Sequence, residues 1–444
     1  MIELISRIGG KGVFVVMALI VIAVVVDNSV VGIATSTGGM RSSASDITLF
    51  ALMVSIFIGG QYVILRFVGT RYLQRKEETK STIHLIHKVI IFVQYALAVI
   101  LVSVILQMTI LSSYHIYSLV TAIFICYGSS CVVLTLLALR FFSWYRSKRN
   151  LVVLLYGSAI SLISLNAVIT IIFLTVGYTD NPLFIRSVRS LTGSFANPTV
   201  TLSYIFAVTS ILSFIVMWTA TVFLLKHYSR RLGKIKYWII VIIPLVYFIS
   251  QFQSLFLFTF AEFRMSDPVS FGIFYTLIFS ANKPLGGVLF GIAFWTVSRN
   301  LKDEKVKGYL IVSAYGMTLL FTANQPATLN LVPYPPFGLV TICFLPLASY
   351  LLFLGIYSSA VSVSQDSILR KTIRNATYRE SQGFLDIIGT AEMERLIEKR
   401  VLEISELSRL ELDEQSGISS SLDDDDARYY VREVLEEIVK SKKA

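Results

Sequence analysis

Ten runs of predominantly apolar residues divide the first 360 positions, at roughly 12–34, 47–69, 88–111, 115–140, 151–178, 199–225, 237–261, 269–298, 308–331 and 337–360. A helix needs about 20 such residues to cross the hydrocarbon of a bilayer, and each run is long enough. Many of the residues are β-branched, which in water would favour strands. In lipid, however, every backbone polar group must be satisfied within its own segment, so the runs are expected to be helices. The fold class that follows is all-α: a polytopic membrane bundle of ten transmembrane helices, residues 1–360, with a short helical tail, residues 361–444.

Lysine and arginine alternate between the connections. The loops after the second, fourth, sixth and eighth runs hold 18 of them, for example Arg71, Arg75, Lys76 and Lys80 in the first of these loops. The opposite connections hold four: Arg41, Arg186, Arg189 and Arg264. Positive charge marks the cytoplasmic side, so the pattern places both termini in the cytoplasm of a multi-pass protein of the cell membrane. One missed or invented helix would scramble this alternation. Lys11 precedes the first run as in a secretory signal, but the run continues past any small-residue cleavage site and is expected to be retained.

Composition agrees with this reading. Of the residues, 55% are apolar and 15% charged, with a mean hydropathy of +0.70; soluble domains carry about 25% charge. Residues 1–360 hold 26 basic and ten acidic residues, the tail 13 basic and 18 acidic. The net charge of +11 therefore belongs to short loops between apolar runs, which is not how a nucleic-acid-binding face is built. The three cysteines, Cys126, Cys131 and Cys343, all lie in apolar runs. Cys126 and Cys131 diverge on one helix, so neither a disulfide between them nor a CxxC metal spacing is expected.

The tail has its own pattern. Over 384–412, Leu385, Ile388, Met393, Ile397, Ile404 and Leu407 recur at helical spacing between charges. A polar break, 414–422, precedes four aspartates, Asp423 to Asp426, which suit the N-terminus of a last helix with the stripe Tyr430, Val431, Val434, Leu435 and Ile438. These two helices are too short for an attached enzyme. They are expected to dock on each other, on the cytoplasmic loops, on a cytoplasmic partner or on a second copy, through residues 384–440.

No HExxH, GxSxG, P-loop or GxGxxG string occurs, so the chain is not expected to be an enzyme and no cofactor is implied. Tyr127-Gly128-Ser129-Ser130 reads as small residues permitting close helix packing. His84 and His87, three apart at the start of the third run, offer half a metal site that nothing nearby completes; a basic interface position is the plainer reading. The connection 179–198, bracketed by Asn181-Pro182 and Asn197-Pro198 and carrying Arg186 and Arg189, reads as a loop lying on headgroups or as a lid that admits anions.

Polar residues deep in apolar runs are costly and so more informative. Asp27 and Asn28 interrupt the first run, Asn166 the fifth, Gln251 and Gln253 the seventh, Asn282 and Lys283 the eighth, Asn324 and Gln325 the ninth. Measured from the nearest cytoplasmic charge on the same helix, Asp27, Asn166, Gln253, Lys283 and Asn324 each lie about 24–26 Å up, at one level in the outer half of the membrane. Gln61, Gln94 and Gln107 fall elsewhere. The eighth and ninth runs share Ala281-Asn282-Lys283-Pro284 and Ala323-Asn324-Gln325-Pro326. Pro284, Gly286, Gly287 and Pro326 should weaken or bend both helices at this level, as in transporters that offer broken helices to a substrate or ion. Asp27 is the one acidic residue at depth, so a pair with Lys283 is expected, either locking the bundle or lining a binding site. Two functions follow: a small-solute or ion transporter using this layer, or a membrane sensor or scaffold whose tail relays or recruits.

Overall fold

The computed structural model describes residues 10–36, 44–72, 81–179, 185–187, 200–226, 233–249, 258–299, 301, 303–324, 334–365 and 384–416. It is almost entirely helical. In chain order the elements are α1 (Gly10–Ser36), α2 (Ala44–Tyr72), α3 (Ser81–Leu111), β1 (Ser113–His115), α4 (Ile116–Ser147), α5 (Leu151–Thr179) and β2 (Ile185–Ser187). Then come α6 (Val200–Lys226), α7 (Lys234–Ile249), α8 (Ala261–Ser266), α9 (Pro268–Arg299), α10 (Glu304–Ala323), α11 (Leu339–Cys343), α12 (Leu345–Gln365) and α13 (Phe384–Ser416). Each of the ten apolar runs thus meets at least one helix.

Seven helices are long and apolar enough to cross a membrane: α2, α3, α4, α5, α6, α10 and the stretch Leu339–Gln365. The described parts of α1, α7 and α9 do not reach that measure, so seven crossings are supported where ten are expected. The outward faces suit lipid. On α3, Leu85, Val89, Phe92, Val99, Val102, Leu106 and Ile110 are all exposed, a stripe about 38 Å long at 1.5 Å per residue. A water-soluble monomer rarely exposes an apolar face of that extent.

The chain divides into two compact units. The first comprises Met1–Leu139 and Leu155–Ile356, the second Arg140–Leu154 and Tyr357–Ala444. In the first unit α9 and α10 pack most intimately, and α1, α2 and α3 follow one another side by side. Residues 339–360 are all buried, whereas only 33% of the most apolar stretch of α3 is. The last long helix is therefore a central one, and its neighbours screen it from lipid.

Glycines set the close contacts. A Cβ on Gly287 of α9 would stand 2.7 Å from the carbonyl oxygen of Thr318 in α10, and one on Gly291 2.8 Å from that of Ala314. A Cβ on Gly316 of α10 would meet Leu352 Cα of α12 at 2.8 Å, and one on Gly355 of α12 the Ser313 nitrogen at 2.5 Å. Small residues let helix backbones approach where the hydrophobic effect between helices is weak, as in lipid. A Cβ on Gly128 would meet nothing within 4 Å on another helix among the described residues. The close packing expected at Tyr127-Gly128-Ser129-Ser130 is therefore not made by its glycine, although Ser130 itself is fully buried.

The second unit gathers the end of α4, the start of α5, the end of α12 and α13. Asn150 caps α5 by accepting from Val152 N at 2.9 Å and Val153 N at 3.3 Å. The helix expected over 384–412 is α13, extending to Ser416. The helix expected beyond the aspartates lies outside the described residues.

The glycine contacts make a direct prediction. Gly316→Val should destabilise the protein in detergent by about 1–3 kcal/mol or more, the usual range for overpacking. Gly128→Ala, with open space at the Cβ, should be neutral or stabilising, since alanine is favoured over glycine in a helix by up to about 1 kcal/mol. Thermal unfolding of the two variants in the same micelle would test the contrast.

Candidate functional site

The Asp27 carboxylate lies in the middle of apolar α1 and is 1% exposed. Its Oδ2 accepts two hydrogen bonds from one residue of α11, from Thr341 N at 3.1 Å and from Thr341 Oγ1 at 2.7 Å. The backbone N–H of Gly338 also faces the carboxylate. Gly338 is the N-cap of α11, with φ 89° and no capping side chain. Asp27 thus does for α11, across a helix–helix contact, what a capping Ser or Asp does locally. A local side-chain cap contributes about 0.5–2 kcal/mol, and a negative charge suits the positive end of a helix. Oδ1 is buried with no hydrogen-bond partner among the described residues.

α11 is set off from α12 by a single residue. The helix expected over 337–360 loses its regular bonding at Phe344, whose angles stay right-handed (φ −79°, ψ −12°), and Pro346 falls in the first turn of α12, where its missing N–H costs nothing. α11 packs against α1, α2, α3 and α10. Its C-terminal carbonyl, on Cys343, accepts from Gln94 Nε2 of α3 at 3.3 Å. Gln61 Nε2 of α2 reaches the backbone oxygen of Gln94 at 3.5 Å. Two edge-on aromatic pairs bracket α11, Phe50–Phe337 at 5.8 Å and Phe57–Phe344 at 4.9 Å. Just upstream, Tyr334 stacks on Tyr114 at 6.1 Å and donates to the Met108 carbonyl at 3.4 Å. Both ends of a five-residue helix are thus held by buried side chains from other helices.

The other residues expected at this level have separate fates. Asn166 is buried, and its Oδ1 accepts from Thr209 Oγ1 of α6 at 3.1 Å; no hydrogen bond among the described residues joins it to Asp27. α10 ends where the Asn324-Gln325-Pro326 string begins, with Asn324 as its C-cap donating to the Leu320 carbonyl at 3.1 Å. Gln325 and Pro326 lie outside the described residues, as do Gln251 and Gln253. The backbone of α9 is helical through Pro284, Gly286 and Gly287, so it does not separate into two half-helices there. The side chains of Asn28, Asn282 and Lys283 lie outside the described residues, and the expected Asp27–Lys283 pair with them. α9, which carries Lys283, does pack against α1. Glu262, the acidic residue next nearest that level in the sequence, is exposed on α8.

His87 is buried and shares a 2.7 Å hydrogen bond between its Nδ1 and Tyr350 OH of α12, while His84 is exposed. The two do not converge on one site, and no cluster of three metal-ligating side chains occurs among the described residues. In the connection carrying Arg186, residues Ile185–Ser187 pair antiparallel with Ser113–His115, with Arg186 opposite Tyr114. At least three of its residues are thus tied to the α3–α4 connection.

The second unit holds a charge cluster that the sequence did not single out. Glu392 of α13 is fully buried. Its Oε2 accepts from Trp144 Nε1 of α4 at 2.8 Å, and its Oε1 accepts from Arg395 at 2.8 Å. Glu394 pairs with Lys148 at 2.6 Å and accepts from Ser147. Phe384 stacks on Phe141 at 6.3 Å, and the Arg140 guanidinium lies 5.4 Å from the centre of the Tyr357 ring. Burial alone would weaken the charge on Arg395; hydrogen bonding and attraction from Glu392, with a smaller part from Tyr357, outweigh it and hold the guanidinium above its ordinary pKa.

Comparison with known proteins returns nothing to set beside these sites: no family model, no curated protein and no solved structure matches the chain.

The α11 contact predicts a graded response at one position. Thr341→Val keeps the shape but removes the hydroxyl from a buried carboxylate, and should cost about 1–3 kcal/mol. Thr341→Ser keeps the hydroxyl and should lose less than about half of that. Equal losses in thermal unfolding of the two variants would mean that the methyl group, not the hydrogen bond, matters.

Proposed function

We propose that the chain is a ten-crossing transporter of a small solute or ion, with both termini in the cytoplasm, and that the interrupted last helix around Asp27 is its working element. One observation carries the reading. A carboxylate is kept in the interior of an apolar bundle, with one oxygen holding a helix start and the other without a described partner. Buried polar backbone at a helix interruption is tolerated at membrane depth where protein or a water-filled path satisfies it. The cap alone does not require a charge, since a neutral Asn or Ser can accept the same bonds, and buried charges rarely improve stability. Lys283, on the helix beside α1, is the natural second charge of the site.

The test uses the full chain in proteoliposomes loaded with reporters for protons, sodium, potassium and chloride. Flux of at least one species is expected, with Asp27→Asn reducing it about tenfold or more while the protein stays folded. If Asp27→Asn transports like the parent, the path runs elsewhere. Asp27→Asn and Lys283→Met should also couple: a double variant equal to the sum of the singles, in flux and unfolding temperature, would mean that the two charges do not pair.

A second reading is favoured by the buried Glu392–Trp144 bond: a sensor or scaffold whose tail relays or recruits. Removing residues 380–444 would strip Glu392 from Trp144 and confound the outcome, so the cleaner cut follows Leu396. A transporter should keep its flux within about twofold after that cut, because Asp27, Gln94, Thr341 and Cys343 all remain. A relay should lose its output.

A further inference from the structure

Donors and acceptors are unevenly provided around α11. The buried polar side chains that hold it from α1 and α3 are Asp27 and Gln94, and Gln61 of α2 backs Gln94. Each spends one of its groups on this scaffold. Gln94 Nε2 donates to the Cys343 carbonyl and Gln61 Nε2 to the Gln94 carbonyl. Turning either amide round would set oxygen against oxygen, so the place of its nitrogen is fixed. Asp27 Oδ2 takes the N–H and the hydroxyl of Thr341. Left over are Asp27 Oδ1, Gln61 Oε1 and Gln94 Oε1, all buried without a hydrogen-bond partner among the described residues. A carboxylate or amide oxygen can only accept.

These oxygens lie in one belt. Thr341 and Cys343, which anchor Asp27 and Gln94, are two residues apart, about 3 Å along the axis of α11. α1, α2 and α3 each pack against that helix. An anion finds little here, because the N–H groups of Gly338 and Thr341 already face the Asp27 carboxylate. Divalent ions take about six to eight oxygens, often with several carboxylates among them. No three acidic, histidine or cysteine side chains gather among the described residues. One formal negative charge beside neutral amide oxygens suits one positive charge. The fully buried rings of Phe50, Phe57, Phe337 and Phe344 close on α11 and leave the belt to a small ion.

We propose that this belt binds a small monovalent cation, an alkali-metal or ammonium-type ion, and that such an ion is what the protein carries. The second half of the proposal rests on the transporter reading; the binding does not. Acceptors buried in apolar surroundings are costly without a donor, and one cation answers several at once. The ammonium of Lys283, the second charge proposed above, is of the same chemistry and would compete with the ion for Asp27 Oδ1.

The test follows thermal unfolding of the full chain in a non-ionic detergent. Sodium, potassium or methylammonium chloride replaces N-methylglucamine chloride at constant ionic strength. At least one of the three should raise the unfolding temperature saturably, and equally when gluconate replaces chloride. Asp27→Asn keeps an oxygen for Thr341 and turns the other acceptor into an N–H donor, so apparent affinity should fall about tenfold or more. Gln61→Met gives up only a 3.5 Å bond and so disturbs the fold least. It should weaken binding about threefold or more. The ion that acts separates an alkali metal from an ammonium. No saturable shift with any of the three, a shift that follows the anion, or variants that bind as tightly as the parent would each overturn the proposal. Binding without flux in proteoliposomes would keep the cation site and remove the transporter; flux that ignores all three cations would do the reverse.

Discussion

Asp27 fixes where the last long helix begins, and the centre of the bundle depends on that position. α11 is too short to be stable by itself, since a helix of five residues forms scarcely one turn of hydrogen bonds. Its start lacks a capping side chain at Gly338, and its end leaves a carbonyl on Cys343. In water both would be solvated; inside an apolar bundle an unsatisfied polar group costs several kcal/mol. Asp27 from α1 and Gln94 from α3 supply what solvent cannot. Without them the chain entering α12 would have no defined register against α1, α2 and α3.

That register matters because α12 is buried throughout 345–360 and packs backbone against backbone. Gly316 and Gly355 leave no room for a side chain where α10 meets α12, and Gly287 and Gly291 leave none where α9 meets α10. Such seams tolerate little sliding: moving α12 by one residue would drive Leu352 or Ser313 into a neighbouring backbone. The Asp27–Thr341 contact at one end and the His87–Tyr350 bond further along therefore hold the same helix in one position. A rearrangement that freed Asp27 would be felt along the whole of α12, which is the mechanical property expected of a transporter's moving part.

The apolar runs were legible because the bilayer imposes one length and one backbone solution on every crossing. Asp27 was legible too, since a carboxylate in such a run has no neutral explanation. Its described partner was not. Thr341 is an unremarked residue in an apolar stretch, and nothing in its spacing marks it off from the threonines that bond their own helix at i−4, as Thr170 and Thr221 do. The interruption itself left a faint trace, Pro335, Pro336 and Gly338 before α11 and Pro346 after it, but the unbroken hydrophobicity of 337–360 masks it. Pro284 reads differently in the fold: a proline in a run suggests a break, yet the backbone of α9 stays helical through it, with Gly287 and Gly291 serving as packing surface. Glu392 was unreadable for a similar reason. On a charged amphipathic helix one more glutamate looks solvated: Arg395, one turn on, meets it by helix geometry alone, and only the fold brings Trp144 to it.

The contacts also constrain how many times the chain crosses. Ser113–His115 pairs with Ile185–Ser187, and Tyr114 stacks on Tyr334, so an even number of crossings must separate each pair. The first interval contains α4 and α5. The second adds α6, α7, α9 and α10, of which α6 and α10 meet the length and hydropathy of a span. It follows that α7 and α9 cross together or not at all. Ile235, Trp238, Ile239, Ile242 and Ile243 on α7 are exposed, a face that only lipid would favour. Arg299, Lys302, Lys305 and Lys307 stand at the junction of α9 and α10 as Lys226, Arg230, Arg231, Lys234 and Lys236 stand at that of α6 and α7, and both charge runs belong on one side. A pair of apolar helices that left and re-entered the same side without crossing would have to bury Glu262, Arg264 and Asp267 of their connection in the membrane. Crossing twice would put these charges in water, which supports counting α7 and α9 among the ten crossings proposed above.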